Sequence, residues 1–215
     1  MTAASQLQIR RGNRLQLWLL ILLFGLPPLT AWLFYFNPQW LPQGHTNHGR
    51  LIEPPRSLQS LSLSSAAGAP FDWSDLRDQW TLTVLAEGHC DKGCTERLIK
   101  VRQIRKALGA ARQRIGRLLI LLPDDDGRFD PPNLEGLEGT RVALAQDHNQ
   151  AEVLERFAID ERSDPGESIF LLDPRVELMM RHDLSQLTSK QVLQDLDRLL
   201  KASQNWARGE QYGHQ

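Results

Sequence analysis

Trp80-Thr81-Leu82-Thr83-Val84-Leu85-Ala86-Glu87-Gly88-His89-Cys90-Asp91-Lys92-Gly93-Cys94 is the stretch that decides the fold. Its first part is apolar and partly β-branched, as a buried strand requires. Beyond Cys94, the residues Leu98, Val101, Ile104 and Leu108 recur at helical spacing, so a helix is expected over 95–108. The chain has two cysteines, and both lie at this junction. With a helix starting near Cys90, positions i and i+4 share one face. The two thiols can then close a disulfide or clamp one soft metal ion.

Working outward, Gly116-Arg117 leads into Leu118-Leu119-Ile120-Leu121-Leu122, a continuous apolar run typical of a central parallel strand. A loop rich in Asp, Pro and Gly follows over 123–139, and Arg141-Val142-Ala143-Leu144 reads as a further strand. Asp147 is expected to cap a helix over 149–158. Runs 169–172 and 176–180 flank Asp173-Pro174-Arg175 and read as a hairpin. A last helix is expected over 188–205, with Val192, Leu193, Leu196, Leu199 and Leu200 on one stripe. Strand, helix, strand, hairpin and helix in this order predict an α/β, thioredoxin-like domain with a right-handed crossover. The sulfur pair would then emerge at the carboxyl end of the first central strand, where open α/β sheets place their sites, with both sulfurs accessible.

Residues 15–36 are apolar apart from Gln16 and Thr30 and carry no charge. At about 1.5 Å per residue this run spans roughly 33 Å, enough for the hydrocarbon layer. Pro27-Pro28 is expected to kink the helix, which a membrane span tolerates. The run is longer than a signal-peptide core and ends in Asn37-Pro38 with no Ala-x-Ala pattern, so an uncleaved anchor is expected. Arg10, Arg11 and Arg14 precede it, which retains that end in the cytoplasm and directs the rest outward. The expected location is the cytoplasmic (inner) membrane, single-pass, with the C-terminal domain in the periplasm. The domain map is a cytoplasmic tail (1–14), a transmembrane anchor (15–36), a linker (37–70), a thioredoxin-like domain (71–205) and a tail (206–215). Pro38, Pro42, Pro54, Pro55 and Pro70 make the linker read as a tether with some local docking. Within it, Leu58 to Leu63 alternates well enough for an edge strand or hairpin arm, and His45 and His48 read as polar bystanders.

A formal net charge of −1 gives no global reason to bind nucleic acid, and none is expected. Between Glu96 and Arg117, however, lie eight basic residues: Arg97, Lys100, Arg102, Arg105, Lys106, Arg112, Arg114 and Arg117. A solvated helix face and a docking surface for an acidic partner are the two readings.

The segment from Phe71-Asp72-Trp73-Ser74-Asp75-Leu76 to Trp80-Thr81-Leu82, followed by Cys90-x-x-x-Cys94, resembles the Sco/SenC family. Residues 169–174 and 182–200 are similar to that family's closing hairpin and helix, and the likeness covers about residues 55–202. The resemblance implies a membrane-anchored, thioredoxin-like factor for copper-site assembly in cytochrome c oxidase, whose copper-bearing subunit is the implied partner. It also implies copper held by Cys90 and Cys94 with a distant histidine. That position falls at or near Pro165, in Ser163-Asp164-Pro165-Gly166-Glu167, where no histidine stands. Asp91 replaces the proline that usually follows the first cysteine, and the acidic motif after the second strand survives loosely as Pro123-Asp124-Asp125-Asp126.

A thiolate is both nucleophile and metal ligand, and a helix N-terminus favours it. Cys90 is expected to attack or accept, and Cys94 to resolve or co-ligate. Two thiolates suffice for near-linear Cu(I), with His89 the nearest further ligand; His148, His182 and Met179-Met180 are secondary candidates. Three readings stay open: Sco-like assistance to oxidase assembly by thiol–disulfide exchange or transient Cu(I) binding, a general thiol–disulfide oxidoreductase of this fold, and a non-catalytic scaffold with a structural disulfide. The missing histidine favours thiol reduction or transient Cu(I) holding over stable Cu(II) storage. Asp124-Asp125-Asp126-Gly127 has the look of a calcium loop, but Phe129 stands where such a loop needs Gly, and an acidic turn is expected.

Overall fold

The computed structural model describes residues 3–37, 47–124, 126–130, 132–158 and 165–212. The chain divides into two units, Met1–Thr46 and Asn47–Gln215. The first holds α1 (Ala3–Phe36), which runs on through Pro27 and Pro28. Its stretch Arg14–Phe36 is, among the described residues, the one helix long and apolar enough to cross a membrane.

In the second unit the strands are β1 (Arg50–Ser57), β2 (Ser64–Ser65), β3 (Trp80–Glu87), β4 (Ile115–Leu122), β5 (Arg141–Leu144), β6 (Ser168–Leu172) and β7 (Glu177–Asp183). They form one mixed sheet in the order β1-β7-β6-β3-β4-β5-β2. The helices are α2 (Lys92–Ala107), α3 (Gln150–Phe157) and α4 (Ser189–Tyr212). β3 pairs in parallel with β4, Trp80 opposite Ile115 through Glu87 opposite Leu122, and antiparallel with β6. Both strands are apolar almost throughout because helices or folded chain cover both faces of the sheet.

Alternation along β3 sends Leu82, Val84 and Ala86 to one face, where they meet Cys94, Leu98, Val101 and Ile104 of α2 and Val192, Leu196 and Leu200 of α4. Leu85 joins the other face with Leu118, Ile120, Phe170, and Val153 and Phe157 of α3. Chain from the expected tether completes this second core. Ile52, Leu58, Leu61 and Leu63 are all buried in it, and the Trp73 indole N–H donates to the Leu61 carbonyl at 3.0 Å. Residues 37–70 are therefore not a tether throughout: from Arg50 the chain is an edge strand antiparallel to β7. Pro54 and Pro55 are tolerated there because an edge strand leaves one row of N–H groups unpaired. The 58–63 stretch is turn rather than strand, with the Leu61 amide donating to the Leu58 carbonyl at 3.0 Å.

Of two helix starts, that of α2 falls near Cys90 as read from the sequence and that of α3 differs. α2 begins after Asp91, whose carboxylate accepts from the Cys94 amide at 2.8 Å. Asp147 does not cap α3. The side chain of Asn149 accepts from the Gln146 amide at 2.8 Å across a 3-10 turn, Asp147–Asn149.

The start of this unit is fastened to its last helix by a buried carboxylate. Asp195 on α4 accepts from the backbone amides of His48 and Gly49, at 2.9 and 2.8 Å, and contacts ring nitrogens of His48 and His182 at 3.0 and 3.1 Å. Gly49 has to be glycine, because a Cβ there would lie 2.6 Å from His182 Nε2. Burial alone would raise the Asp195 carboxyl, but the bonds from His182, Gly49 and His48 outweigh it and hold it well below the usual carboxylate range.

Asp195→Ala is expected to cost about 3 kcal/mol in denaturant unfolding, because it orphans two amides in a closed site. The folded-state carboxyl sits below its unfolded value. Its contribution is therefore complete above about pH 4 and drains away as pH falls toward the folded value. Asp195→Asn should flatten the loss of stability below about pH 5; an unchanged acid limb would contradict the assignment.

Candidate functional site

β3 ends at Glu87, and Gly88 turns the chain with φ +64°, a conformation that side chains rarely adopt. Its amide donates to the Leu122 carbonyl at 2.8 Å and its carbonyl accepts from the Asp130 amide at 2.8 Å. This pins the turn to the end of β4 and to the acidic loop. Cys90 follows two residues later, Asp91 caps the helix, and Cys94 lies one turn further on. The two sulfurs are bonded to each other, with the Cα atoms 5.1 Å apart.

The pair is asymmetric. Cys90 is half-buried, while Cys94 has no exposed surface and packs in the core with Leu98 and Val101. The expectation that both sulfurs are accessible is corrected here. Cys94 begins the i, i+4, i+7 stripe that α2 turns toward the sheet, so its sulfur faces inward. Cys90 is therefore the more exposed member of the pair. Thr95, which the sequence reading passed over, brings its hydroxyl to 3.9 Å from the Cys90 sulfur.

Beside the pair lies a cavity of about 470 Å³, lined by Glu87, His89, Asp91, Gly93, Arg97 and the turn at Gly166 and Glu167. A smaller one of about 200 Å³ shares Gly93, Arg97 and Glu167 and extends toward Lys100 and Leu184. Arg97, read from the sequence as one of the basic run, donates to the Leu85 carbonyl at 3.2 Å. Together these hollows border the exposed side of the first turn of α2. Their lining mixes charges of both signs, which suits a polar segment of another chain.

His89 is exposed next to Cys90. His148 is exposed at the start of α3, and His182 is buried against Asp195. Met180 is core, and Met179 packs against it. His45 lies outside the described residues, whereas His48 is bonded to Asp195 rather than being a bystander. Among the described residues no group of three or more His, Cys, Asp or Glu side chains is arranged to hold a metal ion. The turn Pro165–Glu167 brings Gly166 and Glu167 to the cavity but no histidine. The two sulfurs are bonded to each other here; only after reduction would they offer two soft donors, fewer than a Cu(II) centre needs.

Much of the basic run is structural. Arg102 donates to the Gly136 carbonyl at 2.6 Å, Arg105 to Ile115 at 2.7 Å and Arg114 to Leu200 at 3.0 Å. Arg117 donates to the Glu138 carbonyl and is buried. These arginines fasten α2 and β4 to the loop before β5 and to α4, which removes most of the proposed docking face. Asp124 likewise spends its carboxylate on the amides of Asp126 and Arg128, at 3.0 and 2.8 Å, as the acidic-turn reading expects. Asp125 lies outside the described residues.

Residues 80–203, more than half of the chain, match the family model described as "Transmembrane-like, thioredoxin-like, C-terminal domain". No curated protein matches the chain. Among solved structures, apo Sco1 from Thermus thermophilus superposes with a TM-score of 0.55 at 18% identity, over 73% of this chain and 99% of that one. Yeast Sco1 gives 0.52 at 15% identity, over 70% and 97%. Yeast Sco1 with copper bound gives 0.50 at 13% identity, over 74% and 95%. At these identities the likeness is one of fold. By its matched residues, and by a central strand that ends in a cysteine-bearing helix start, the chain belongs to the transmembrane-like, thioredoxin-like C-terminal domain family.

Proposed function

We propose that this protein is a membrane-anchored thiol–disulfide carrier that works through Cys90 and Cys94, in a Sco-like role assisting copper-site assembly in cytochrome c oxidase. The observation that carries the reading is the asymmetric pair: two sulfurs bonded just past the end of the central strand, Cys90 half-buried and Cys94 fully sheltered, with a cavity lined by their neighbours His89, Asp91 and Gly93. Disulfide exchange needs this division. An incoming reactant meets one sulfur, and the protected partner waits to resolve the mixed disulfide. A purely structural bridge is the weaker reading. Closing a five-residue loop is worth only about 2 kcal/mol by loop entropy, against roughly 4.7 for a hundred-residue loop.

Two further features support the oxidase setting. The fold is that of Sco1 structures, one of which holds copper, and the apolar helix suggests a single-pass anchor. On this reading residues 15–36 cross the inner membrane, and Arg10, Arg11 and Arg14 keep the short tail inside, so the domain faces the periplasm. The copper-bearing subunit of the oxidase is the proposed client. Its cysteines would be reduced at Cys90, or Cu(I) would pass through a two-sulfur site with His89 alongside. The donor set argues for transient Cu(I) over stored Cu(II).

In the reduced full-length chain in detergent, brief alkylation should modify Cys90 at least about tenfold faster than Cys94, read by peptide mass spectrometry. Equal rates would contradict the asymmetry. Titration with Cu(I) against a chelating competitor should show weak one-to-one binding that Cys90→Ser abolishes. A disulfide peptide carrying the client's cysteine pair should be reduced by the wild type and trapped by Cys94→Ser. Neither copper retention nor peptide reduction would leave the scaffold as the better reading.

A further inference from the structure

We propose that Asp91 holds the Cys90–Cys94 pair at a reducing poise, so that the protein donates electrons to its client rather than withdrawing them. The inference rests on the thiol–disulfide reading above and names the residue that sets its direction.

Asp91 is the first residue between the cysteines and the N-cap of α2, and its Oδ1 accepts from the Cys94 amide at 2.8 Å. A free amide at a helix start is a ready donor to a neighbouring sulfur, and with the helix dipole it stabilises the electron-rich reduced form. Here that donor is already taken by a carboxylate. The same carboxylate adds a full negative charge within the five-residue loop that holds both sulfurs. Both effects weigh against the dithiol state, in which sulfur carries more electron density, and neither acts on the neutral disulfide. The stability of the reduced form sets the potential of such pairs: stabilising it makes an oxidant, and denying it support makes a reductant.

The other charges nearby are of both signs, and an Arg97 terminal nitrogen and both Asp91 carboxylate oxygens lie within 3.6 Å of the point where a Gly93 Cβ would stand. Glu87, Asp91 and Glu167 line the cavity on the acidic side, and His89 and Arg97 on the basic side. Arg97 donates to the Leu85 carbonyl. Lys92, on the following residue, and Asp91 itself are both exposed, so water screens both charges. One donor does approach Cys90, the Thr95 hydroxyl at 3.9 Å, a neutral group at the long limit for sulfur. Asp91 is thus a positioning residue that acts through charge and through the amide it occupies.

The transfer balances. Cys90 as thiolate attacks one sulfur of the client disulfide, forming a mixed disulfide and releasing the other client sulfur, which takes a proton. Cys94 then attacks Cys90, closing the internal disulfide and releasing the second client thiol. Two electrons pass from protein to client, and an external dithiol must restore the pair for the next turn.

Asp91→Asn tests this directly, since asparagine caps helices as well as aspartate does and removes only the charge and its strong acceptor. The full-length wild type and variant in detergent are equilibrated with glutathione buffers of graded ratio, and the dithiol fraction is read by alkylation and mass. The variant's equilibrium should shift toward the dithiol about tenfold, or about 30 mV less negative. Asp91→Ala should shift the same way while also losing the cap, which unfolding separates from the redox effect. An equilibrium that stays put in Asp91→Asn, or moves toward the disulfide, overturns the proposal while leaving the exchange reading intact. A wild-type pair that never equilibrates with glutathione removes the exchange reading itself.

Discussion

β3 is hydrogen-bonded along its length to β4 and on its other edge to β6, and its side chains are buried on both faces. A strand held this way cannot slip by one residue without exchanging the two cores, so the place where it ends is fixed. It ends at Gly88, which turns with positive φ and is tied by its own amide and carbonyl to Leu122 and Asp130. From there Asp91 starts α2, and the helix register sends Cys94 inward and leaves Cys90 at the rim. The chemistry of the pair is thus a consequence of where one strand stops.

Much of this was legible in the sequence. The apolar runs that became β3 and β4, the hairpin of β6 and β7, and the stripe of α4 are local patterns with a single periodicity. The cysteine pair announced itself by position. Burial of Cys94 was legible too, because it sits at i, i+4 and i+7 with Leu98 and Val101, yet the expectation of two accessible sulfurs passed over that stripe. What stayed hidden depends on partners far apart in the chain. β1 carries two prolines and few apolar residues, and only its pairing with β7 makes it a strand. Asp195 is one polar residue on an amphipathic helix until His48 and Gly49 arrive from 147 and 146 positions away. The arginines looked like a charged face because their acceptors are backbone carbonyls, which no side-chain pattern reveals.

The comparison with Sco1 structures separates scaffold from site. Sheet order, crossover and closing helix can be kept at 13 to 18% identity, since any apolar residues of suitable volume will fill the cores. A metal centre is less forgiving, because each ligand must be a specific atom at a specific place. Here the Pro165–Glu167 turn brings Gly166 and Glu167 to the cavity and no imidazole, and an acid occupies the position after the first cysteine. On the proposed reading, that helix start serves electron transfer through sulfur rather than a multi-ligand copper centre. The carboxylate clamp at Asp195 ties α4 to the start of β1 and to β7, and the Arg114 tie joins α4 to the start of β4, at the end of the sheet away from the pair.

The central claim is that the Cys90–Cys94 bond opens and closes while the domain stays folded. Native-state reduction tests it most directly: the intact protein in detergent is exposed to a small dithiol without denaturant, sampled over time, and the cysteines are alkylated while near-UV circular dichroism is recorded. The account predicts that both sulfurs become labelled after quenching in denaturant, with the folded signal unchanged and the bond restored when the dithiol is removed. Reduction that appears only as the folded signal is lost would contradict it, and would make the bridge part of the architecture alone.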